Sequence, residues 1–158
     1  MDDTRQQAPA ARREDDRLTT GRGEYTDDVA FAGALNAVFV RSPYPSASIR
    51  SIDTSAELAS EGVVAVLVGA DLVAEGFIDC PVPFKLPQGD GTFALQTPRP
   101  LLARERVRFV GEPVAMVLAR SFAAALDAAE RVAVEYEEHA CLTRAAEALA
   151  PAAPLIWE

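Results

Sequence analysis

Short apolar segments recur along this chain, each bounded by turn residues. Residues 35–40 (LNAVFV) alternate between two faces and are apolar on much of both, which predicts a strand. Residues 47–53 (ASIRSID) predict a second strand. A turn separates the two at 42–46, because its two prolines restrict their own φ and disfavour helix in the residues before them. We therefore predict an antiparallel hairpin over 35–53.

The segment after this hairpin predicts a short helix and a third strand. Thr54 and Glu57 have the spacing of a capping box, and a helix is expected to run to about Glu61. Gly62 then ends it, since a left-handed conformation costs glycine little. Residues 63–68 (VVAVLV) form a continuous apolar run, which is typical of a strand covered on both faces.

The same order of elements recurs later in the chain. Residues 113–119 predict another strand covered on both faces, and Ser121 is a candidate helix N-cap. Apolar residues then follow at helical spacing, and residues 132–136 alternate as a strand. The chain thus contains two predicted strand–helix–strand units, at 47–68 and 113–136, whose connections would be right-handed if each strand pair is parallel within one sheet. The predicted fold class is α/β (α+β) with a mixed sheet.

A long segment between the two units has no sustained periodicity. Residues 74–100 contain five of the eleven prolines of the chain. Structureless loops of this length are uncommon unless they are functional or bind something. We expect the segment to pack against another domain or subunit; a loop packed on itself is the alternative. Its apolar residues are Phe77, Ile78, Phe84, Leu86, Phe93 and Leu95.

Charge and hydropathy disfavour two classes of partner. The chain has 15 Lys and Arg against 24 Asp and Glu, a net charge of −9, which repels nucleic-acid phosphates. No apolar run approaches the ~20 residues of a membrane helix, and the charged start of the chain lacks the apolar centre of a signal peptide. We therefore expect a cytoplasmic protein without nucleic-acid or membrane partners.

Candidate catalytic and metal-binding residues are sparse. His139 and Cys141 could form a base–nucleophile couple, and Cys80 could join them around zinc, but both arrangements lack further ligands or an orienting group. Gly21 and Gly23 form a bare G-x-G without the strand or third glycine of a dinucleotide site. The expectation is that no residue of this chain is catalytic, cofactor-binding or metal-binding.

Glu112 differs from the other acidic residues because glycine and proline flank it between two apolar segments. We predict that it lies at a partly buried bend and is paired, with Arg104, Arg106 or Arg108 as the candidates. A structural role at this bend is favoured over catalysis.

Several motifs together resemble the large subunits of the xanthine dehydrogenase/aldehyde oxidase family. Residues 11–28 (ARREDDRLTTGRGEYTDD) resemble the opening of those subunits, and the segments 37–56, 62–72, 99–119 and 124–138 resemble later parts in the same order. The ending and the proline-rich loop resemble the carbon monoxide dehydrogenase-like branch. The matching structural motif residues are Gly21, Gly23, Tyr25, Asp27, Asp28, Arg41, Pro43, Gly111, Glu112 and Pro113.

The resemblance implies the α/β hammerhead fold and a parent enzyme that oxidises aldehydes, N-heterocycles or CO with oxygen from water. That enzyme would use molybdopterin, with iron–sulfur clusters and FAD on other domains or subunits, while this chain binds none of them alone. The expected partners are the remaining large-subunit domains and the iron–sulfur and FAD subunits. The family often has two histidines where this chain has Tyr44 and Ser46, so the chain departs from the family pattern at these two positions.

The expected organisation is a disordered arm at 1–17, the hammerhead domain at 18–150, and a truncated linker at 151–158 toward absent cofactor-binding domains. The favoured hypothesis is a structural docking domain that is inactive alone. The alternative is a stand-alone, non-catalytic scaffold protein or gene remnant with the same fold. An independent enzyme using Cys141 and His139 is a distant third.

Overall fold

The computed structural model describes residues 12–82 and 84–157, which fall into two compact units divided after Ala34. The first unit contains α1 (Asp15–Thr19) and a 3₁₀ turn (Thr26–Asp28). Residues 1–11 of the predicted arm lie outside the described residues, whereas the last residues of that arm belong to α1.

The described residues of the second unit form six strands and three helices. The strands are β1 (Asn36–Arg41), β2 (Ala47–Asp53), β3 (Val63–Val68), β4 (Arg106–Val107), β5 (Pro113–Ala119) and β6 (Ala133–Glu138). The helices are α2 (Ser55–Leu58), α3 (Gly69–Ala74) and α4 (Phe122–Ala129), and a 3₁₀ turn follows at Glu147–Leu149.

The strands form two separate three-stranded sheets. The first sheet has the order β1-β5-β3 and the second has the order β4-β2-β6, and every strand pairing in them is antiparallel. The α/β class is confirmed, but the pairing differs from the predicted mixed sheet. Each strand–helix–strand unit crosses from one sheet to the other, and β1 and β2 lie in different sheets instead of forming a hairpin.

The length of the first connection accounts for one part of this difference, whereas the link from Ala119 to Ala133 is long enough for a parallel crossover. A parallel crossover within one sheet needs a dozen or more residues, and the link from Asp53 to Val63 is shorter than that. Asp53 Oδ1 accepts both the N–H and the hydroxyl of Ser55 at the start of α2, at 3.0 and 2.6 Å. Gly62 has the predicted left-handed conformation, with a φ of +83°, but α2 ends at Leu58, before the predicted end at about Glu61. The side chain of Glu57, half of the predicted capping box, lies outside the described residues.

Helix α4 packs on one face of the first sheet, and the two together form the larger of two apolar clusters. Ser121 Oγ accepts the N–H of Ala124 at 3.2 Å, which confirms the predicted N-cap. Ala125 and Ala128 are fully buried, and their small side chains bring the helix close to the sheet. The residues of this cluster are Val66, Val117, Ala119, Ala125, Ala128 and Val132.

A second apolar cluster lies beside the second sheet. It joins Ala47 of β2 with Val107 of β4, and Ala103 and Val114 complete it. Val114 is the extra residue of a bulge in the β1–β5 pairing, between the partners of Val40 and Arg41. The bulge accounts for two consecutive buried residues, Val114 and Ala115, in a strand that otherwise alternates.

Candidate functional site

The bend at 109–112 is fixed by hydrogen bonds from the end of β1. Gly111 has a φ of +89°, a backbone conformation that residues with a Cβ rarely adopt. Ser42 and this bend exchange two backbone bonds: Ser42 N–H donates to the Glu112 carbonyl at 2.9 Å, and Gly111 N–H donates to the Ser42 carbonyl at 2.8 Å. The Arg41 guanidinium donates to the Gly111 carbonyl at 2.8 Å. The structure therefore brings together motif residues that are about 70 positions apart in the sequence.

Glu112 is buried at this bend, with 6% of its surface exposed. Its Oε2 accepts the backbone N–H of Arg108 at 2.5 Å. The predicted burial of Glu112 is confirmed. The predicted charge pair is not found: among the described residues no ion pair joins Glu112 to Arg104, Arg106 or Arg108, and the donor is a backbone N–H.

Pro43 begins the turn that leads from β1 to β2. Next to it, Ser42 Oγ accepts the N–H of Tyr44 at 3.0 Å, which tightens the turn. The Tyr44 ring packs edge-on against Tyr136 of β6, with ring centroids 5.1 Å apart.

The remaining motif residues lie in the first unit. Gly21 has a φ of +71°, and a Cβ at Gly23 would come within 2.9 Å of the Leu18 side chain. Asp28 Oδ2 accepts the N–H of Tyr25 at 2.9 Å, which closes the 3₁₀ turn. Asp27 is exposed in the same turn. These contacts give the glycines and Asp28 local conformational roles.

A cleft of about 600 Å³ opens beside β4. It is lined by Arg104, Arg106 and Arg108, which we call the arginine row; Arg106 and Arg108 flank Val107, whose side chain is buried on the other side of the chain. The other lining residues are Ser48, Asp79, Pro98, Pro100, Glu105, Ile156 and Trp157. Sequence reasoning missed this cleft; its one signal was the arginine at every second position.

The arginine row is held by contacts of different kinds. Arg104 Nη2 binds Asp79 Oδ1 at 2.5 Å, and Arg106 Nη2 donates to Ser46 Oγ at 3.1 Å. Arg108 Nη1 donates to the Arg106 carbonyl at 3.2 Å. The Arg108 guanidinium also lies 3.7 Å from the centroid of the Trp157 ring. Burial lowers the pKa of Arg108, although the charge of Glu112 opposes this effect.

The sequence candidates for nucleophilic or metal chemistry do not form a site. His139 Nε2 lies 2.7 Å from Ser48 Oγ, and both cysteines are exposed thiols. Within residues 12–82 and 84–157, no group of three or more His, Cys, Asp and Glu side chains could hold a metal ion. An iron–sulfur cluster with four cysteine ligands cannot form from the two cysteines of this chain.

The first sheet has an apolar face opposite α4. We call it the open face. Its six residues are all exposed or half-buried; Phe39, for example, has 42% of its surface exposed. Both strands predicted to be covered on two faces, β3 and β5, contribute to it. Its residues are Ala37, Phe39, Ala65, Leu67, Met116 and Leu118, which the strand register aligns across β1, β5 and β3.

The proline-rich segment also exposes apolar side chains. Leu86 and Ala94 are joined by a backbone bond of 2.9 Å, and Gln88 and Thr92 by one of 2.8 Å, so residues 86–94 form an irregular hairpin. The six apolar residues identified in the sequence are all more than half exposed, with Ile78 the most at 79%. The hairpin is formed within the segment itself, and packing of its exposed apolar residues against another domain or subunit stays a prediction.

In the part of the chain that the structure describes, no helix is long and apolar enough to span a membrane.

Comparisons with known proteins agree with this geometry. Residues 20–140 match the family model "Aldehyde oxidase and xanthine dehydrogenase, a/b hammerhead domain". The nicotine 6-hydroxylase large subunit of Paenarthrobacter nicotinovorans is 45% identical over 80% of this chain and 15% of that subunit. The carbon monoxide dehydrogenase large chain of Afipia carboxidovorans is 41% identical over 92% of this chain and 17% of that chain.

Solved structures show the same fold. Quinoline 2-oxidoreductase from Pseudomonas putida 86 superposes with a TM-score of 0.78 at 43% identity, covering 87% of this chain and 17% of that one. A Cu,Mo-CO dehydrogenase structure superposes with a TM-score of 0.75 at 40% identity, covering 92% of this chain and 17% of that one. This chain thus spans about one sixth of the length of these relatives, and it belongs to the aldehyde oxidase and xanthine dehydrogenase a/b hammerhead domain family.

Proposed function

We propose that this chain is the N-terminal docking domain of the large subunit of a molybdenum hydroxylase and is inactive alone. The observation that carries the proposal is the open face of the first sheet, because the solvent face of an antiparallel sheet is normally polar, whereas this one is apolar. The exposed apolar residues of the proline-rich segment extend the surface available for docking. The remaining large-subunit domains are the proposed occupants.

The parent enzyme would oxidise aldehydes, N-heterocycles or CO at a molybdopterin centre carried by those other domains. Iron–sulfur clusters and FAD would lie on further domains or subunits. This proposal is supported by relatives named as a nicotine 6-hydroxylase and carbon monoxide dehydrogenases, whose large subunits are several times longer than this chain. The ten motif residues are proposed to hold the local structure of this domain.

Hydroxyl-radical footprinting tests the docking role directly. Phe39 and Met116 on the open face are expected to be labelled in this chain alone and protected when it is joined to the remainder of the large subunit. Phe122 on α4 is the matched control: it is 61% exposed and belongs to the helix on the opposite face, so its labelling should not change. Equal labelling of Phe39 in both samples would refute the proposal.

Two further measurements separate this function from the alternative of a stand-alone scaffold protein. Sequencing the source DNA beyond the Glu158 codon shows whether the frame continues into molybdopterin-binding segments. The purified chain should not oxidise aldehydes, purines or CO with a dye acceptor, whereas the extended subunit with its partners should oxidise one of these substrates. Dye-linked activity of the chain alone would contradict the proposal.

A further inference from the structure

The arginine row concentrates positive charge in an otherwise acidic chain. The net charge is −9, so most of the surface repels anions, yet three guanidinium groups line one cleft. Asp79 neutralises Arg104 through the contact at 2.5 Å, and Glu105 is the other acidic residue in the lining. Among the described residues, neither Arg106 nor Arg108 forms an ion pair with a carboxylate.

Arg106 and Arg108 also retain unused hydrogen-bond donors. Their Nε atoms are buried, and within the described parts of the chain neither has a hydrogen-bond partner. Leaving a buried donor unsatisfied costs about 1–3 kcal/mol, and more for a charged group. Because these atoms are closed to the cleft, a ligand can accept their N–H bonds only after the two side chains rearrange, and it would then remove this cost.

Trp157 fixes the orientation of Arg108. The ring covers one face of the guanidinium at 3.7 Å, and Nη1 already donates to the Arg106 carbonyl, so a ligand binds the remaining edge of the group. The planar edge of a guanidinium matches two oxygens of a carboxylate or phosphate. The cleft volume of about 600 Å³ falls within the range of small-molecule sites.

We propose that Arg106 and Arg108 form a binding site for a small soluble molecule that carries phosphate or carboxylate groups. One oxyanion group binds between the two guanidinium groups, whose side chains rearrange so that their unpaired N–H groups reach it, while Ser48 lines the same cleft. This ligand-binding role goes beyond the docking function and does not depend on it, because the open face of the first sheet is a separate surface.

Trp157 is the only tryptophan of the chain, so its fluorescence reports on this cleft. Pyrophosphate and citrate are titrated separately into the purified chain at constant ionic strength, with sodium chloride as the matched salt. We expect a saturable fluorescence change with at least one of the two anions and none with chloride. Tighter binding of pyrophosphate assigns the site to phosphate ligands, and tighter binding of citrate assigns it to carboxylates. Chloride that reproduces both curves would overturn the proposal.

Variants test which residues bind the anion. Arg106→Gln is expected to weaken binding by about tenfold or more, since it removes hydrogen bonds from a charged donor. Arg50→Gln is the control: Arg50 is an exposed arginine of β2, it pairs with Glu137, and it is not among the lining residues. Thermal unfolding first confirms that each variant is folded, and calorimetry provides a second measure of affinity. Unchanged affinity in a folded Arg106→Gln protein, or an equal loss in Arg50→Gln, would refute the assignment.

Discussion

Replacing Glu112 by alanine should destabilise the bend that links β4 to β5. Oε2 of this buried carboxylate accepts the Arg108 N–H at 2.5 Å, and a hydrogen bond to a charged group contributes about 1.5–3 kcal/mol. We expect the free energy of unfolding to fall by about 2–3 kcal/mol for Glu112→Ala. For a chain of this length, each kcal/mol lowers Tm by about 2–4 °C, so Tm should fall by roughly 5–10 °C.

Two comparison variants make this prediction specific. Glu112→Gln retains an oxygen that can accept the same N–H, so it should lose about half as much stability. Glu61→Ala removes an exposed carboxylate and should change stability by no more than about 0.5 kcal/mol. Calorimetry gives Tm, and amide hydrogen exchange at Arg108 and Gly111 shows whether the loss is local. If Glu112→Ala melts within about 1 °C of the parent protein, the carboxylate does not stabilise the bend.

Three further predictions concern single groups. Ser121→Ala removes the acceptor of the Ala124 N–H, so urea unfolding should show a loss of about 1 kcal/mol that Ser121→Asp restores. Burial raises the pKa of Tyr136 above its ordinary 10.0, so the associated stability is complete below pH 10 and is lost as the pH rises through the raised pKa. Alkaline absorbance titration should therefore show a late phenol ionisation that Tyr136→Phe lacks. The hydroxyl and N–H of Ser55 lower the pKa of Asp53 below its ordinary 3.8, and this stabilisation is lost as the pH falls through the lowered pKa. Ser55→Ala should raise that pKa in a carboxyl NMR titration, and an unchanged value would contradict the assigned cause.

The sequence pattern located the main strands because alternation and apolar runs record which side chains are buried. It did not determine the pairing, since a buried strand such as β3 has the same pattern in a parallel or an antiparallel sheet. It also missed α3 and β4, with six and two residues, because elements this short do not complete a recognisable period.

In the candidate site, too, features set by neighbouring residues could be predicted, and features set by distant segments could not. Burial of Glu112 followed from its immediate neighbours, Gly111 and Pro113. The cleft could not be predicted, because it requires Ser48 and Trp157 to meet the arginine row from segments far away in the sequence. Similarly, β3 and β5 were expected to be covered on both faces, and the structure shows that the second face is open within this chain.

The antiparallel pairing between early and late strands has a consequence for synthesis on the ribosome. Asn36 pairs with Ala119, and Ala47 pairs with Glu138, so neither sheet can close until β5 and β6 have been made. At about 5–20 residues per second, translation of the roughly one hundred residues between β1 and the end of β6 takes on the order of 5–20 s. For about half of that time, from the end of β3 until β5 is made, the apolar run of β3 has no partner strand. A nascent chain stalled before Pro113 should therefore bind holdase chaperones, and one that extends well past Glu138 should release them.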